Sequence, residues 1–469
     1  MAILTKSVGA VFVGSLLCVV LVMQGANVGD GTTTVAQAQE DNWTTDAARR
    51  QGIRLVETRD ASGPPAYPVE PGDLLFFTNV GTSYGATNPK NSIVVIDAKT
   101  KKPIAISDLE AEWSEKWYSH GNAVSPDGRY VYLPGIRPRG TDSGPEAAGR
   151  PSSILVLDSR TLKIHQIISS GAERPHHVKQ YEDWLGRRRI LVEDFNWIPN
   201  FSPNGKGFYV LDPDDDNKVI AGMTPGEVRG NLYAGFTAPD GKYLYYSAPP
   251  SDFTIRTQLQ GYMTKIDMET WEVVQRLPME TYPIWTVFSR DNRWAWTTQS
   301  EDSKLLKIER AMKPGGRDRI VGEAPTGPGP YGAAITLDES EVWVADKGET
   351  LPGMRGTSAT VIDADTMEVK RTIQTDCITN DHLIVSPDGR EMWATCNQSH
   401  EIVVLDTATY EIKTRIPMPN QGDTHGGSFV FYSEGAGGLV AETVSDQNGL
   451  HGSAREAARQ AVPWAPAGY

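Results

Sequence analysis

The amino-acid sequence predicts an all-β fold, a seven-bladed β-propeller of four-stranded antiparallel blades closed by N- and C-terminal strands in one blade. Three observations predict it. A Pro-Asp-Gly turn between two short apolar runs recurs, as in His120 to Gly128, Tyr233 to Gly241 and Asp381 to Gly389, with degenerate copies at Ile284 to Asn292 and Tyr331 to Glu339. A second signal, an aliphatic run ending in Asp, follows each turn: Val94 to Asp97, Leu155 to Asp158, Val361 to Asp363 and Val403 to Asp406. Between His120 and His425 the unit recurs six times, about 51 residues apart, a period that with four short strands per unit marks a propeller blade.

Taken in order, the chain opens with Lys6, an apolar run from Val8 to Met23 and a small-residue stretch ending in Ala36, Gln37 and Ala38. This is the pattern of a secretory signal over 1–38, too short and poorly flanked for a membrane span, and it predicts a periplasmic mature chain beginning near Gln39. Residues 39–70 form an N-terminal arm and 71–432 the propeller. Strand-one starts fall at His120, His176, Tyr233, Ile284, Tyr331, Asp381 and His425, one per blade. The last blade begins with Gly426 to Tyr432, while Leu74 to Phe77 and Val94 to Asp97 near the N-terminus lack a first strand of their own, so the two ends are expected to close one blade. Residues 433–469, rich in Gly and Ala, are expected to be a C-terminal tail.

Composition narrows the function. Hydrophobic content of 39% with 12 Trp suffices for a core, and a net charge of -14 argues against nucleic acid or anionic membrane as partners. A small anion would need a local cation. With Cys18 in the signal, Cys377 and Cys396 flank one predicted hairpin; a disulfide is the leading reading and copper-ligating thiols the other. The chain contains no C-x-x-C-H, which excludes covalent c-type haem.

In a propeller, strand-one starts lie on one face and the Pro-Asp-Gly turns on the opposite one. Of eight histidines, His120, His176, His177, His382 and His425 stand at strand-one starts, in one ring around the channel mouth. A single such histidine is ordinarily a hydrogen-bonded structural residue. Five in one register on separate blades are better explained as metal ligands, neutral imidazole being the commonest. Neighbours on a strand point to opposite sides, so His176 and His177 are expected to serve different ions of a multinuclear site. Loops on the same face carry Lys90, Asp252, Lys347 and His400, together with Glu227 and Arg229; each alone reads as a solvated charge. His165 and His451 read as structural, and Trp113, Trp117 and Tyr118 as aromatic core that could also wall the pocket. Imidazoles on separate blades in a periplasmic protein favour copper over a local structural zinc site.

The signal peptide, the seven blades, the Pro175-His176-His177 start and the further strand-start histidines resemble thiocyanate dehydrogenase, and more distantly the propeller of nitrous oxide reductase. The C-terminal cupredoxin domain of the latter, with its paired cysteines, has no counterpart here, and the axial histidines are too few for a seven-histidine cluster. The resemblance implies three copper ions and oxidation of thiocyanate with water to cyanate and sulfur, with two electrons leaving to a periplasmic acceptor such as a c-type cytochrome. It implies His120, His176, His177, His382 and His425 as copper ligands, with Asp252 as the carboxylate ligand and Asp194, Asp346 and Asp381 as its competitors. Lys90 would orient the substrate and Glu227 would handle its protons; a homodimer is a possible assembly. The competing expectations are a non-catalytic propeller binding a tetrapyrrole or a protein, and a copper or zinc oxidoreductase acting on another small anion or amine.

Overall fold

The computed structural model describes residues 45–81, 90–115, 119–135, 152–170, 175–194, 207–230, 232–249, 260–279, 281–313, 315–348, 350–351 and 353–464. The signal segment 1–38, Arg174, Trp117, Tyr118 and Asp252 lie outside them. Seven antiparallel sheets follow one another in chain order. Blade 1 begins at Ala123–Val124, blade 2 at Pro175–Glu182, blade 3 at Ala234–Thr237, blade 4 at Pro283–Phe288, blade 5 at Pro330–Ile335 and blade 6 at Asn380–Val385. Blade 7 combines Ser428–Gly435 with Leu74–Val80, Ser92–Asp97 and Lys102–Ile106. The expected closure is therefore present, with Leu74 opposite Phe431 and Phe77 opposite Ser428.

The repeated sequence signals have plain local causes. In the Pro-Asp-Gly turns, Ser125 and Ser386 each donate their hydroxyl to the following Asp at 2.6 Å, and Gly128 and Gly389 donate N–H back to them at 2.8 Å. Those glycines sit at φ +66° and +74°, where a side chain would be strained. The Asp closing each third strand accepts the backbone N–H of the residues two and three further on: Asp158 from Arg160 and Thr161, Asp363 from Asp365 and Thr366, Asp406 from Ala408 and Thr409. That is an Asx turn, and it starts the outermost strand. Second and third strands are buried along almost their whole length, as in Leu74–Val80 and Glu341–Asp346, whereas outermost strands such as Val369–Gln374 face solvent. Blades then pack through aliphatic and aromatic residues, with Trp285, Trp296, Trp343 and Trp393 fully buried.

Two terminal segments are more integrated than expected. Within the arm, Arg54–Thr58 pairs with Ile164–Ser169 as a fifth outer strand of blade 1, and Gln51 on the helix Asp46–Gln51 donates to Phe208 O of blade 2 at 3.0 Å. The C-terminal segment is not a solvated tail. Gly438–Asp446 pairs with Ser428–Gly435 on the edge away from Leu74–Val80, which puts it nearer the propeller axis than any other strand of blade 7. Thr443 bonds Ser125 and Pro126 of blade 1, Ser445 donates to Val385 O of blade 6 at 2.6 Å, and Arg455 of the helix Gly452–Arg459 donates to Pro239 O of blade 3. This hairpin and helix plug the channel. The inner edge of an axial strand is an unpaired ladder, and pairing it satisfies those backbone groups.

Cys377 and Cys396 are disulfide-bonded, which settles the choice between disulfide and free thiols. Closing a loop of 19 residues restricts the unfolded chain, so replacing both cysteines by Ser should cost about 3 kcal/mol of unfolding free energy in urea titration. An unchanged midpoint would contradict this.

Candidate metal centre

The axial strands carry a shared irregularity. In blade 2, Val178 pairs with Val192 and Pro175 with Asp194, so His176 and His177 together oppose the single residue Glu193. The same two-against-one arrangement places Ile284 and Trp285 opposite Thr298, Tyr331 and Gly332 opposite Ala345, and Asp381 and His382 opposite Thr395. Each is a β-bulge, which breaks the alternation of a regular strand and re-aims side chains. The expectation that His176 and His177 point to opposite sides is thereby corrected: their ring centroids are 3.9 Å apart.

All five strand-start histidines lie in one buried group. His120 is 4.0 Å from both His176 and His425 between ring centroids and 4.8 Å from His177, and His177 is 5.6 Å from His382. None is more than 8% exposed. Potential ligand atoms of His120, His176 and His177 lie within 4.8 Å of one another. Aromatic residues at or beside the remaining starts, Tyr233, Tyr282, Trp285 and Tyr331, wall the side made by blades 3 to 5, with Trp285 4.6 Å from His382.

Carboxylates hold the imidazoles from behind. Glu193 Oε2 faces His177 Nδ1 at 3.2 Å, and Glu193 Oε1 accepts from Lys179 Nζ at 2.8 Å and Gly235 N at 2.7 Å. Asp381 Oδ2 faces His382 Nδ1 at 2.7 Å and His425 Nδ1 at 2.8 Å, while Asp381 Oδ1 contacts Lys347 Nζ at 2.6 Å. A carboxylate on Nδ1 fixes the ring and leaves Nε2 for an ion. Among the described residues, His177 Nε2, His382 Nε2 and His120 Nδ1 make no hydrogen bond although buried. A buried polar atom without a partner is costly, and a bound cation is what would satisfy all three. The donor set therefore fits a transition metal.

The electrostatics agree. Burial first, then neighbouring imidazoles and the Lys347 cation, hold His120 and His176 well below the usual range; burial and the adjacent rings do the same for His177. The shift favours the neutral ring, which is the ligating form. His425 differs: against the effect of burial, Asp381 and Asp423 push it up to about 9, and its Nε2 lies 3.0 Å from Asp423 Oδ2. Carboxylates face both its ring nitrogens, so it would have to exchange one of them to act as a ligand. Burial pushes Glu193 up to about 7, opposed by Lys179.

The loop candidates fall differently. Lys90 is half exposed and 3.8 Å from Glu115. Glu227 accepts from Thr224 N at 2.7 Å in a capping box and pairs with Arg50 at 3.2 Å, on the surface. No described contact joins either to the histidines. Arg229 caps the same short helix in a left-handed conformation, and His400 holds a turn whose carbonyl accepts from Met418 N. Asp346 is occupied by Ser358 and Thr360 at 2.7 and 2.9 Å, and Asp194 is buried at the foot of the blade 2 bulge. Asp381 is the competitor that touches the histidines, and Lys347, 1% exposed, the cation that reaches them through it. His165 stacks on Tyr130, His451 pairs with Asp446 in the plug, and Trp113 joins the core, as structural residues do. Glu193, Lys179 and Asp423 were not singled out in the sequence. The one available signal was their placement in strands or loops beside a strand-start histidine.

No protein-family model and no curated protein sequence matches the chain. Solved structures share its architecture. The Pseudomonas aeruginosa periplasmic gluconolactonase is 16% identical, with a TM-score of 0.54, over 76% of this chain and 99% of that one. Hydrazine synthase of Kuenenia stuttgartiensis is 15% identical, with a TM-score of 0.50, over 75% and 98%. A dihydro-haem d1 dehydrogenase is 16% identical, with a TM-score of 0.50, over 82% and 81%. At these identities the likeness is one of fold, the β-propeller.

If Glu193 sets the orientation of His177, Glu193→Gln should lower the affinity of the metal-free protein for Cu(II) by roughly 10- to 100-fold in a chelator-competition titration. His165→Ala should bind as the wild type does. Equal binding by all three proteins would contradict the assignment.

Proposed function

We propose that the chain is a periplasmic copper-dependent oxidoreductase that oxidises thiocyanate with water to cyanate and sulfur. The observation that carries the metal reading is the set of buried ring nitrogens without hydrogen bonds on His120, His177 and His382. The substrate rests on the resemblance of the strand-start histidines to thiocyanate dehydrogenase. His120, His176, His177 and His382 would hold copper, with His425 joining on exchange of a carboxylate. Asp381, which contacts His382 and His425, joins Asp252 as a candidate carboxylate ligand.

Copper bound there would supply Lewis acidity and accept electrons. The overall change balances as thiocyanate plus water giving cyanate, elemental sulfur, two protons and two electrons, the electrons leaving to a periplasmic acceptor such as a c-type cytochrome. The chain's own contribution is binding and proton handling. Lys347, buried against the face of Tyr331 at 3.8 Å and against Asp381, is a compact cation that would hold a small anion in a chain of net charge -14. Lys90 is its competitor for this role. Asp381 links Lys347 to two imidazoles, which, against the effect of burial, hold its carboxyl well below the usual carboxylate range; proton uptake is the role the resemblance implies for Glu227. The aromatic wall of Tyr233, Trp285 and Tyr331 would exclude water from that side.

The ring contacts favour ions over a tetrapyrrole. Imidazoles with centroids 3.9 to 4.8 Å apart bring several ring nitrogens to one place, as an ion site requires, whereas a tetrapyrrole needs one or two axial imidazoles.

Copper-loaded mature protein should contain about three ions per chain and reduce an artificial electron acceptor only when thiocyanate is supplied. Lys347→Ala should raise the KM for thiocyanate more than Lys90→Ala does, with copper content unchanged in both. Turnover by metal-free protein, or no thiocyanate-dependent reduction by loaded protein, would overturn the reading.

A further inference from the structure

We propose that Gln447 is a further ligand residue of the metal centre, delivered by the C-terminal hairpin, its carboxamide oxygen donated to the ion that His177 holds. The inference rests on the metal reading above and concerns a residue that no histidine motif signals.

Gln447 stands in the turn between Gly438–Asp446 and Gly449–Leu450 and is 3% exposed. Among the described residues, neither Oε1 nor Nε2 makes a hydrogen bond. A carboxamide offers an acceptor and two donors, and burying all of them unused is unfavourable unless something else occupies them. The turn does not need this side chain. Asp446 holds it instead, accepting from Asn448 N at 2.6 Å and facing His451 Nε2 at 2.8 Å.

Its position relates it to the histidines. Gly121 follows His120, and Gly426 follows His425. A Cβ placed on Gly121 would lie 3.4 Å from Gln447 Nε2 and 2.7 Å from His177 Cδ2, the ring carbon bonded to the nitrogen that lacks a hydrogen bond. A Cβ on Gly426, which sits at φ +72°, would collide with Gln447 Oε1. The carboxamide therefore lies against the backbone beyond two strand-start histidines and flanks the free edge of a third. Two glycines keep that space open for it. Nε2 lies on the Gly121 side and Oε1 on the Gly426 side; a half-turn of the carboxamide, which exchanges two groups of nearly equal size, brings the oxygen to the His177 side, where a neutral oxygen beside imidazole suits a divalent transition metal and one occupant would satisfy both buried groups.

The test is a Cu(II) titration of the metal-free full-length mature chain against a competing chelator, with the copper EPR spectrum as second readout. Gln447→Leu should weaken at least one copper by roughly tenfold or more and alter the EPR signal, without lowering the melting temperature of the metal-free protein. Gln447→Glu, which keeps an oxygen donor, should bind at least as tightly as wild type. Wild-type affinity and spectrum in Gln447→Leu would overturn the inference, as would loss of copper from both variants. A lowered melting temperature with copper binding retained would assign Gln447 a structural role and overturn it too. Wild-type protein that takes up no Cu(II) would instead remove the metal reading itself.

Discussion

The site depends on one extra residue at the start of the axial strands. A regular strand would send His176 and His177 to opposite faces, and Asp381 and His382 likewise. The bulge sets two residues against one and turns both toward the channel. Blades 2, 4, 5 and 6 repeat it, so the device belongs to the blade rather than to one motif. What differs between blades is the pair it presents: two imidazoles, Ile284 with Trp285, Tyr331 with Gly332, or a carboxylate with an imidazole.

That difference splits the mouth of the channel into two halves. Blades 6, 7, 1 and 2 supply histidines and the carboxylates behind them, and blades 3 to 5 supply Tyr233, Tyr282, Trp285 and Tyr331. Burial favours the neutral form of His120, His176 and His177, so the ligand half is ready for a cation without first losing protons. The two buried lysines beside the rings are neutralised locally, Lys179 by Glu193 and Lys347 by Asp381. Each therefore couples a positive charge to a ring through one carboxylate, and the imidazoles on either side of the group answer to different charge pairs. The C-terminal hairpin pairs the inner edge of blade 7 and bonds to blades 1 and 6.

The fold was legible because its signals are local. Pro-Asp-Gly turns and strand-ending Asp residues are dictated by a few adjacent hydrogen bonds, and their period counts the blades. The five histidines were legible for the same reason, since register alone puts them on one ring. The bulges were not, because an inserted residue leaves no mark when the flanking pattern is already apolar, as in Pro283–Phe288. Glu193 was hidden inside the strand Arg188–Asp194, where it reads as an ordinary strand residue until a partner three-dimensionally adjacent is known. Lys90 and Glu227 were chosen by loop position, but loop length does not fix where a flexible charged side chain ends; Glu227 finds its own helix and Arg50 first. The Gly-rich stretch after Tyr432 reads as a tail by composition, yet Gly438–Asp446 pairs with the adjacent strand Ser428–Gly435 and Thr443 bonds Ser125, 318 positions earlier in the chain, a contact that local composition does not signal.

The central claim is that the buried imidazole group is a copper centre. Anomalous X-ray scattering from crystals of copper-loaded protein, recorded above and below the copper edge, tests it most directly. The account predicts peaks present only above the edge, within bonding distance of His177 Nε2 and His382 Nε2 and among the rings of His120 and His176. An anomalous map with no peak in the channel mouth, or with copper bound only at surface histidines such as His165, would contradict it.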